Sequence, residues 1–292
     1  MGPTATTIER TRVPRVEPRP GAGGRGARMR RVEALSVAIL VLMTVASTIG
    51  VSVDGLYPDG PWAREALRGG DLTTLALVVP ALAASLLLAR RGSAGARVVW
   101  LGALAYGVYN YAYFAFGAEF NAIFPLHVVL LTASIATLLL AATTFDLRAI
   151  AERVRVPGAR WVGLFLAIVG SVLGGLWIAL SIRHTVSGEL IGGLPEDGVH
   201  LVFAIDTSLL GPALVIAGVL LWRRSEVGFA AGATMAVMGA MYQVNLLAAG
   251  AFQAAAEVPG AKAFPPEGVG LAVGFLVATL VLLGRRPSTV GR

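Results

Sequence analysis

Long apolar segments alternate with short polar ones along this chain, from Val32 to Gly284. Each apolar segment is close to the ~20 residues that an α-helix needs to cross the ~30 Å hydrocarbon layer of a membrane. Strands of a membrane β-barrel would be half as long and would alternate polar with apolar residues, which these segments do not. The pattern predicts an all-α membrane helix bundle with eight transmembrane helices, at residues 32–53, 71–89, 96–116, 122–144, 161–182, 199–222, 228–250 and 267–284.

Composition supports the membrane class and narrows the chemistry. The chain has 292 residues, of which 56% are hydrophobic and only 14% are charged, too few to cover the surface of a soluble domain. With no cysteine, it has no disulfide, no thiolate nucleophile and no Cys-ligated metal. The three histidines are widely spaced and outside any HExxH motif, so we expect no metal site and no cofactor.

The basic residues fall in alternate predicted loops. Of the 24 Lys and Arg residues, 20 lie on one side of the eight predicted spans and 4 on the other. Because basic loops stay in the cytoplasm, we expect a bacterial plasma-membrane protein with both termini inside. These residues lie in short loops where they meet anionic lipid head groups, and they are not interleaved with aromatics, so nucleic acid is not expected as a partner.

The ends of the chain differ in composition from the predicted spans. Residues 1–31 contain eight arginines and four prolines with little apolar surface, which predicts a disordered basic cytoplasmic tail. We expect a cytoplasmic connector at residues 145–160 and a second cytoplasmic tail at residues 285–292. The membrane-embedded part is thereby divided into two predicted four-helix units, residues 32–144 and 161–284.

The two predicted units share a sequence pattern. Pro-Ala-Leu occurs in the middle of the second and sixth predicted helices, at Pro80 and Pro212, and each helix ends in an Arg pair. Tyr109-Asn110 and Tyr242-Gln243 correspond in the helices that follow, with nearly the same offset. We therefore expect a parallel repeat, since four helices return the chain to its starting side. Coincidence among Ala- and Leu-rich helices is the alternative explanation.

Polar side chains gather at one depth of the predicted bundle. The stretch from Tyr106 to His127, YGVYNYAYFAFGAEFNAIFPLH, is rich in polar and aromatic residues amid apolar sequence. By helical rise, Asn110, His127, Asp206 and Gln243 each lie ~10 Å below the outer surface, while the inner half holds almost nothing ionisable. This asymmetry predicts a cavity open to the outside and closed by apolar residues beneath.

The candidate site is built from the polar residues at this depth and nearer the outer surface. The ligand-binding candidates are Asp206, Asn110, His127, Gln243, Tyr106, Tyr113 and Asn245, and the rim candidates are Asp71, Glu119 and Asn121. Asn and Gln also join membrane helices by hydrogen bonds, and a histidine can be a packing residue, so structural roles stay open for these side chains.

Asp206 is the strongest candidate for chemistry. An ionised carboxylate within the hydrocarbon costs ~2.5–3.5 kcal/mol on insertion scales, and no Lys or Arg lies at its predicted depth. A carboxyl group in this position is partnered, reached by water or protonated. We therefore expect Asp206 to be a proton-exchanging group.

The segment YNYAYFAFGAEFN, with a later helix that carries Asp, Pro and an Arg pair, resembles a widespread group of uncharacterised polytopic membrane proteins from actinobacteria and other bacteria. The resemblance covers most of the chain after residue 31 and implies a multi-pass membrane protein. The group has no established activity, so the resemblance implies no role for any residue.

These observations favour a membrane protein, with the lipid bilayer as its main partner, that binds or transports a small ligand or ion. A non-transporting sensor or assembly component, in which the polar residues only hold helices together, is the first alternative. An intramembrane enzyme acting on lipid with His127 and Asp206 is the second. We do not expect an enzyme, because the chain lacks GxSxG, Walker and dinucleotide-binding motifs.

Overall fold

The computed structural model describes residues 22–188 and 196–284, which contain helices and no strand. In chain order the helices are α1 (Ala22–Ser52), α2 (Pro61–Thr73), α3 (Val79–Arg90), α4 (Ala94–Gly117), α5 (Phe124–Thr144), α6 (Leu147–Val154), α7 (Ala159–Ser187), α8 (Glu196–Ile205), α9 (Gly211–Trp222), α10 (Glu226–Ala255) and α11 (Pro266–Leu283). A π-helical segment, Thr74–Val78, joins α2 to α3, and a second, Asp206–Leu210, joins α8 to α9.

The predicted all-α class is confirmed, and the helices have the length and composition of a multi-pass membrane protein. Among the described residues, seven helices are long and apolar enough to cross a membrane. The third predicted span, α4, forms a 24-residue helix but is not among the seven, because its tyrosines and Asn110 lower its hydropathy. Its side chains are covered by neighbouring helices instead of lipid, as the fully buried Tyr106 and Tyr111 illustrate.

Loops rich in arginine meet at one end of the bundle, here called the arginine-rich end. Arg153, in α6, donates a 2.5 Å hydrogen bond to the carbonyl of Leu283 at the end of α11. The guanidinium of Arg155 lies 5.2 Å from the ring centroid of Phe229, near the start of α10. The predicted connector 145–160 therefore contacts the same end of the bundle as the start of α10 and the end of α11.

The other end of the bundle, here called the arginine-poor end, is also held by contacts between loops. The Asp59 carboxylate accepts a 3.0 Å hydrogen bond from the backbone N–H of Glu119. The side chain of Gln253, near the end of α10, donates a 2.8 Å hydrogen bond to the carbonyl of Trp62. The loops that were predicted to share the second side thus lie together.

Two helices start ten residues earlier than their apolar segments do. α1 begins at Ala22, inside the predicted disordered tail, and residues 1–21 and 285–292 lie outside the described residues. α2 begins at Pro61, which suits the first turn of a helix because its missing N–H needs no partner there. Hydropathy marks where a helix enters the hydrocarbon, but backbone hydrogen bonds continue the helix beyond that point.

The predicted connector contains a short amphipathic helix, α6, that the apolar pattern does not reveal. Its N-cap is Asp146, whose carboxylate accepts a 3.1 Å hydrogen bond from the N–H of Ala149. Ile150 and Val154 are buried against the bundle, so the connector is anchored at the arginine-rich end.

Each π-helical segment ends two residues before a proline. Proline has no N–H and its ring clashes with the carbonyl four residues earlier, so a regular α-helix cannot continue through it. The N–H groups before Pro80 and Pro212 reach one residue further back: Val79 donates to Thr74, and Gly211 to Asp206. Asp206 is therefore the first residue of a widened turn, a feature often found at functional sites.

Small residues allow α7 and α9 to approach closely. A Cβ at Gly163 would lie 2.7 Å from the carbonyl oxygen of Gly218, and a Cβ at Gly170 would lie 2.7 Å from that of Gly211. Without side chains on these glycines the two backbones meet directly, which is how helices commonly associate in membranes. α10 packs against α2, α4, α9 and α11 and so lies in the middle of the bundle.

We predict that Gly163→Ala lowers the free energy of unfolding by about 1–3 kcal/mol, because the added methyl group must separate two backbones. The matched control is Gly174→Ala on the same helix, where no heavy atom lies within 4 Å of the new Cβ. Thermal unfolding of the purified variants in detergent measures the difference. Equal stability of the two variants would contradict close packing of α7 on α9.

Candidate functional site

A cavity of about 640 Å³ lies among α2, α4, α7, α8, α10 and α11. Most of its lining is apolar. Five of the seven predicted ligand-binding residues lie in its wall: Asp206, Asn110, Gln243, Tyr113 and Asn245. Its volume is within the range of small-molecule pockets, which typically combine apolar walls with a few polar groups.

The Asp206 carboxylate, almost completely buried, is held by neutral donors from two other helices. The hydroxyl group of Tyr109, on α4, donates to Oδ1. The indole N–H of Trp177, on α7, donates to Oδ2 at 2.8 Å. Each carboxylate oxygen therefore has a donor, but no cation neutralises the group, because no Lys, Arg or His belongs to the described part of the lining.

Corresponding residues of the two predicted units meet beside this carboxylate. The hydroxyl oxygens of Tyr109 and Tyr242 are 3.1 Å apart, and their ring centroids are 4.6 Å apart in an edge-on arrangement. One turn away, the Asn245 side chain donates a 3.2 Å hydrogen bond to Oδ1 of Asn110. The amide nitrogen of Asn110 is buried without a partner in the described residues.

The cavity is closed toward the arginine-rich end by apolar side chains. Leu210, Leu214 and Phe275 line it and are themselves buried. Behind them the backbones of α7 and α9 meet at their glycines. The polar side chains thus lie above an apolar floor.

Two predicted ligand-binding residues, His127 and Tyr106, lie outside the cavity. His127 is fully buried among aromatic rings, with its centroid 4.7 Å from that of Phe114 and 6.1 Å from that of Tyr111. Tyr106 shares a 3.2 Å hydrogen bond with Thr74. For His127 the depth was predicted, but its direction depends on packing: α5 lies against α1 and α4, away from α7 and α11. Tyr106 was expected in the cavity wall because it shares a face of α4 with Asn110 and Tyr113, but it is one turn before Asn110 and is covered at Thr74.

The three predicted rim residues have separate surroundings. Asp71 is buried, because α2 begins ten residues before it, and its Oδ2 accepts a 2.6 Å hydrogen bond from the Tyr57 hydroxyl. Burial, reinforced by the charge of Asp71, raises the pKa of the Tyr57 phenol far above its ordinary value, so this group stays a donor. Glu119 and Asn121 are in the loop between α4 and α5, where Asn121 caps the backbone N–H of Ile123.

Sequence reasoning did not select Tyr109, Tyr242 or Trp177 as site residues. Tyr109 and Tyr242 carried a signal, because they occupy corresponding positions of the predicted repeat. Trp177 carried none, since it lies 29 residues before Asp206 in a helix that is otherwise apolar. Only packing brings its indole to the carboxylate.

The arrangement suits a positively charged ligand. A carboxylate with neutral donors has negative charge to offer, and the rings of Tyr109, Tyr242 and Trp177 present faces or edges around it. Aromatic faces attract cations by about 0.5–2 kcal/mol each. A metal ion has less support: in the described ranges no group of three or more His, Asp or Glu residues is close enough to hold one.

No protein family, curated protein or solved structure matches the chain. The site is therefore interpreted from its own geometry.

We predict that Tyr109→Phe lowers the free energy of unfolding by about 1–3 kcal/mol, because it leaves Oδ1 of the buried Asp206 carboxylate without its donor. Tyr113→Phe is the matched control. Tyr113 is on the same helix and lines the same cavity, but its hydroxyl has no hydrogen-bond partner in the described residues. Thermal unfolding of both variants in detergent measures the effect, and a loss of stability no larger than that of the control would refute the role of Tyr109.

Proposed function

We propose that this protein is an eight-span plasma-membrane protein that binds a small organic cation in the cavity beside Asp206. The observation that carries the proposal is a buried carboxylate with neutral donors and no cationic partner among the described lining residues, in the wall of a cavity of about 640 Å³. A bound cation would supply the missing charge. When the cavity is empty, a proton can neutralise the Asp206 carboxylate instead of the cation. Binding of the cation would then release this proton.

Several observations support eight spans with both termini in the cytoplasm. α4 is 24 residues long, about 36 Å by helical rise, so it is long enough to cross the hydrocarbon even though its composition is polar. The sorting of arginine between the two ends supports the orientation, with the arginine-rich end in the cytoplasm. In this orientation the cavity belongs to the outer half of the membrane.

Local geometry supports the parallel repeat. The π-helical segments Thr74–Val78 and Asp206–Leu210 begin 132 residues apart in numbering. The same spacing separates Gly92 from Arg224, which both have positive φ in the turn that follows. It also separates Ser93 from Ser225, the N-caps of α4 and α10. The recurrence of a π-helical segment, a left-handed residue and a serine cap in register supports a repeat over chance similarity of composition.

The repeat also gives the cavity its position. Residues on a pseudo-twofold axis contact their own counterparts, as Tyr109 and Tyr242 do. The cavity lies on the second-unit side of this pair. On the first-unit side, Tyr57, Phe114 and His127 pack together and leave little room. Only one of the two related places is therefore proposed as a binding site.

A second candidate function is a membrane component that binds no ligand. The neighbours of His127 are aromatic rings in contact with it, as expected of a packing residue. If the residues around Asp206 act in the same way, Tyr109 and Trp177 serve only to hold it. An intramembrane enzyme has less support, since His127 and Asp206 have different neighbours and share no contact.

Labelling of single introduced cysteines tests the topology, because the native chain has none. We expect a membrane-impermeant maleimide to label Glu119→Cys on intact cells, and Arg91→Cys only after the membrane is permeabilised. The two positions flank α4 and are both exposed. Labelling of both from the same side would mean that α4 does not span the membrane, and the reverse pattern would invert the orientation.

Binding of n-butyltrimethylammonium to the purified protein tests the function. We expect it to raise the thermal stability of the protein, with an affinity that increases with pH, because the cation binds the ionised carboxyl group. Asp206→Asn should weaken binding about tenfold or more, since opposite unit charges about 5 Å apart attract each other by ~3 kcal/mol at an effective dielectric constant of about 20, and should remove the pH dependence.

The control for this experiment is Asp71→Asn, which alters another buried carboxyl group, one outside the cavity lining. Binding that both variants leave unchanged would remove Asp206 from the site. Absence of any binding in the wild-type protein would favour the membrane component without a ligand.

A further inference from the structure

We propose, on the basis of the proposed function, that the bound cation carries an apolar chain and enters the cavity sideways from the lipid bilayer, through a gap between α7 and α11. The ligand class is a single-headed cationic amphiphile. Three observations support this inference: the gap, the apolar wall beside it and the position of the Asp206 carboxylate.

α7 and α11 contact each other near the arginine-rich end. The rings of Phe165 and Phe275 meet edge to face, with centroids 5.1 Å apart. A Cβ at Gly274 would lie 2.9 Å from the Phe165 ring, and one at Gly158 would lie 2.9 Å from Val281. These contacts close the space between the two helices at this end.

Toward the arginine-poor end the same two helices separate. Gly270 is one turn before Gly274 on the same face of α11, yet a Cβ added at Gly270 would meet no heavy atom within 4 Å. The buried residues of α7 are all at or before Gly170, and beyond it Val172, Leu176 and Ile178 are about half exposed or more. The two helices therefore form a V whose closed end is the Phe165–Phe275 contact.

The open end of the V leads into the cavity. Val172 of α7 and Leu271 of α11 both line it, yet 61% and 37% of their respective surfaces are exposed. Both helices belong to the apolar spans, so the medium outside this gap is lipid. A molecule dissolved in the bilayer can thus reach the cavity without crossing the polar loops.

The α7 wall of the cavity matches an apolar chain next to a charged head. Ile168, Val172 and Leu176 recur every four residues, share one face of α7 and line the cavity over about 12 Å of helical rise. Trp177, which donates to Asp206, follows directly at the end of this stripe. If the cationic head group binds at the Asp206 carboxylate, its apolar chain therefore lies along this stripe of α7.

The charge of the lining residues favours a cationic amphiphile over an ordinary phospholipid. A phosphate group would require basic partners, and the described lining residues include none. An ammonium group without phosphate complements Asp206 and the aromatic rings. The same argument excludes fatty acids, whose carboxylate would be repelled.

The test compares two probes of equal head group and different chain, n-butyl- and n-decyltrimethylammonium, on the full chain in lipid nanodiscs. Binding is corrected for uptake by nanodiscs without protein. We expect Val172→Phe to weaken decyl binding about tenfold more than butyl binding, because the bound decyl chain lies against residue 172 and fills the gap there. The matched control is Ile178→Phe, on the same helix and similarly exposed but outside the cavity lining, which should alter neither.

Nanodiscs with brominated acyl chains test the route. Bromine quenches tryptophan fluorescence on contact, so lipid reaching the gap should quench the signal of Trp177, taken as the difference between wild type and Trp177→Phe. Val172→Phe should reduce this quenching and Ile178→Phe should not.

The outcomes separate the two proposals. If Val172→Phe leaves decyl binding and Trp177 quenching unchanged, or weakens both probes equally, lateral entry is refuted. If both probes bind alike and depend on Asp206, the cation site stands and the amphiphile is refuted. If neither probe binds, both proposals fail.

Discussion

The structure depends on how a buried carboxylate is accommodated in a medium without water. Asp206 receives one donor from α4, through Tyr109, and one from α7, through Trp177, so a single side chain joins both predicted units. Hydrogen bonds of this kind offset part of the desolvation of the group, but they leave its charge uncompensated. The same interaction therefore joins helices of both predicted units and leaves the carboxylate without a cation among the described lining residues.

Backbone geometry contributes to this arrangement. Pro212 prevents a regular α-helix, and the π-helical segment Asp206–Leu210 satisfies the backbone groups that the proline would otherwise leave unpaired. One extra residue in a turn rotates the side chains on its two sides relative to each other by about 100°. Asp206 begins this segment, so the proline and the carboxylate belong to one structural feature. The equivalent segment before Pro80 begins with Thr74, which has a hydroxyl in place of the carboxylate.

The polar residues that the sequence singled out separate into two groups because of helix direction. Asn110, Gln243 and Asp206 were predicted at one depth and share the cavity. His127 has a similar predicted depth but is on α5, which packs on the other side of α4. Depth is readable from the sequence, since rise per residue is constant. The rotation of each helix about its own axis is not readable from the sequence. Apolar residues do not mark one face of these helices clearly enough to show which face points into the protein.

The sequence by itself determined the all-α class and the position of each apolar helix, because a membrane demands an uninterrupted apolar segment of fixed length and its backbone hydrogen bonds close locally. It also indicated the prolines, the corresponding tyrosines and the carboxylate. Only the tertiary structure decided that Trp177 meets Asp206, that Asp71 is buried beside Tyr57, and that α7 and α11 diverge. These contacts join residues far apart in the chain, and side-chain packing between whole helices, which no local pattern encodes, selects among them.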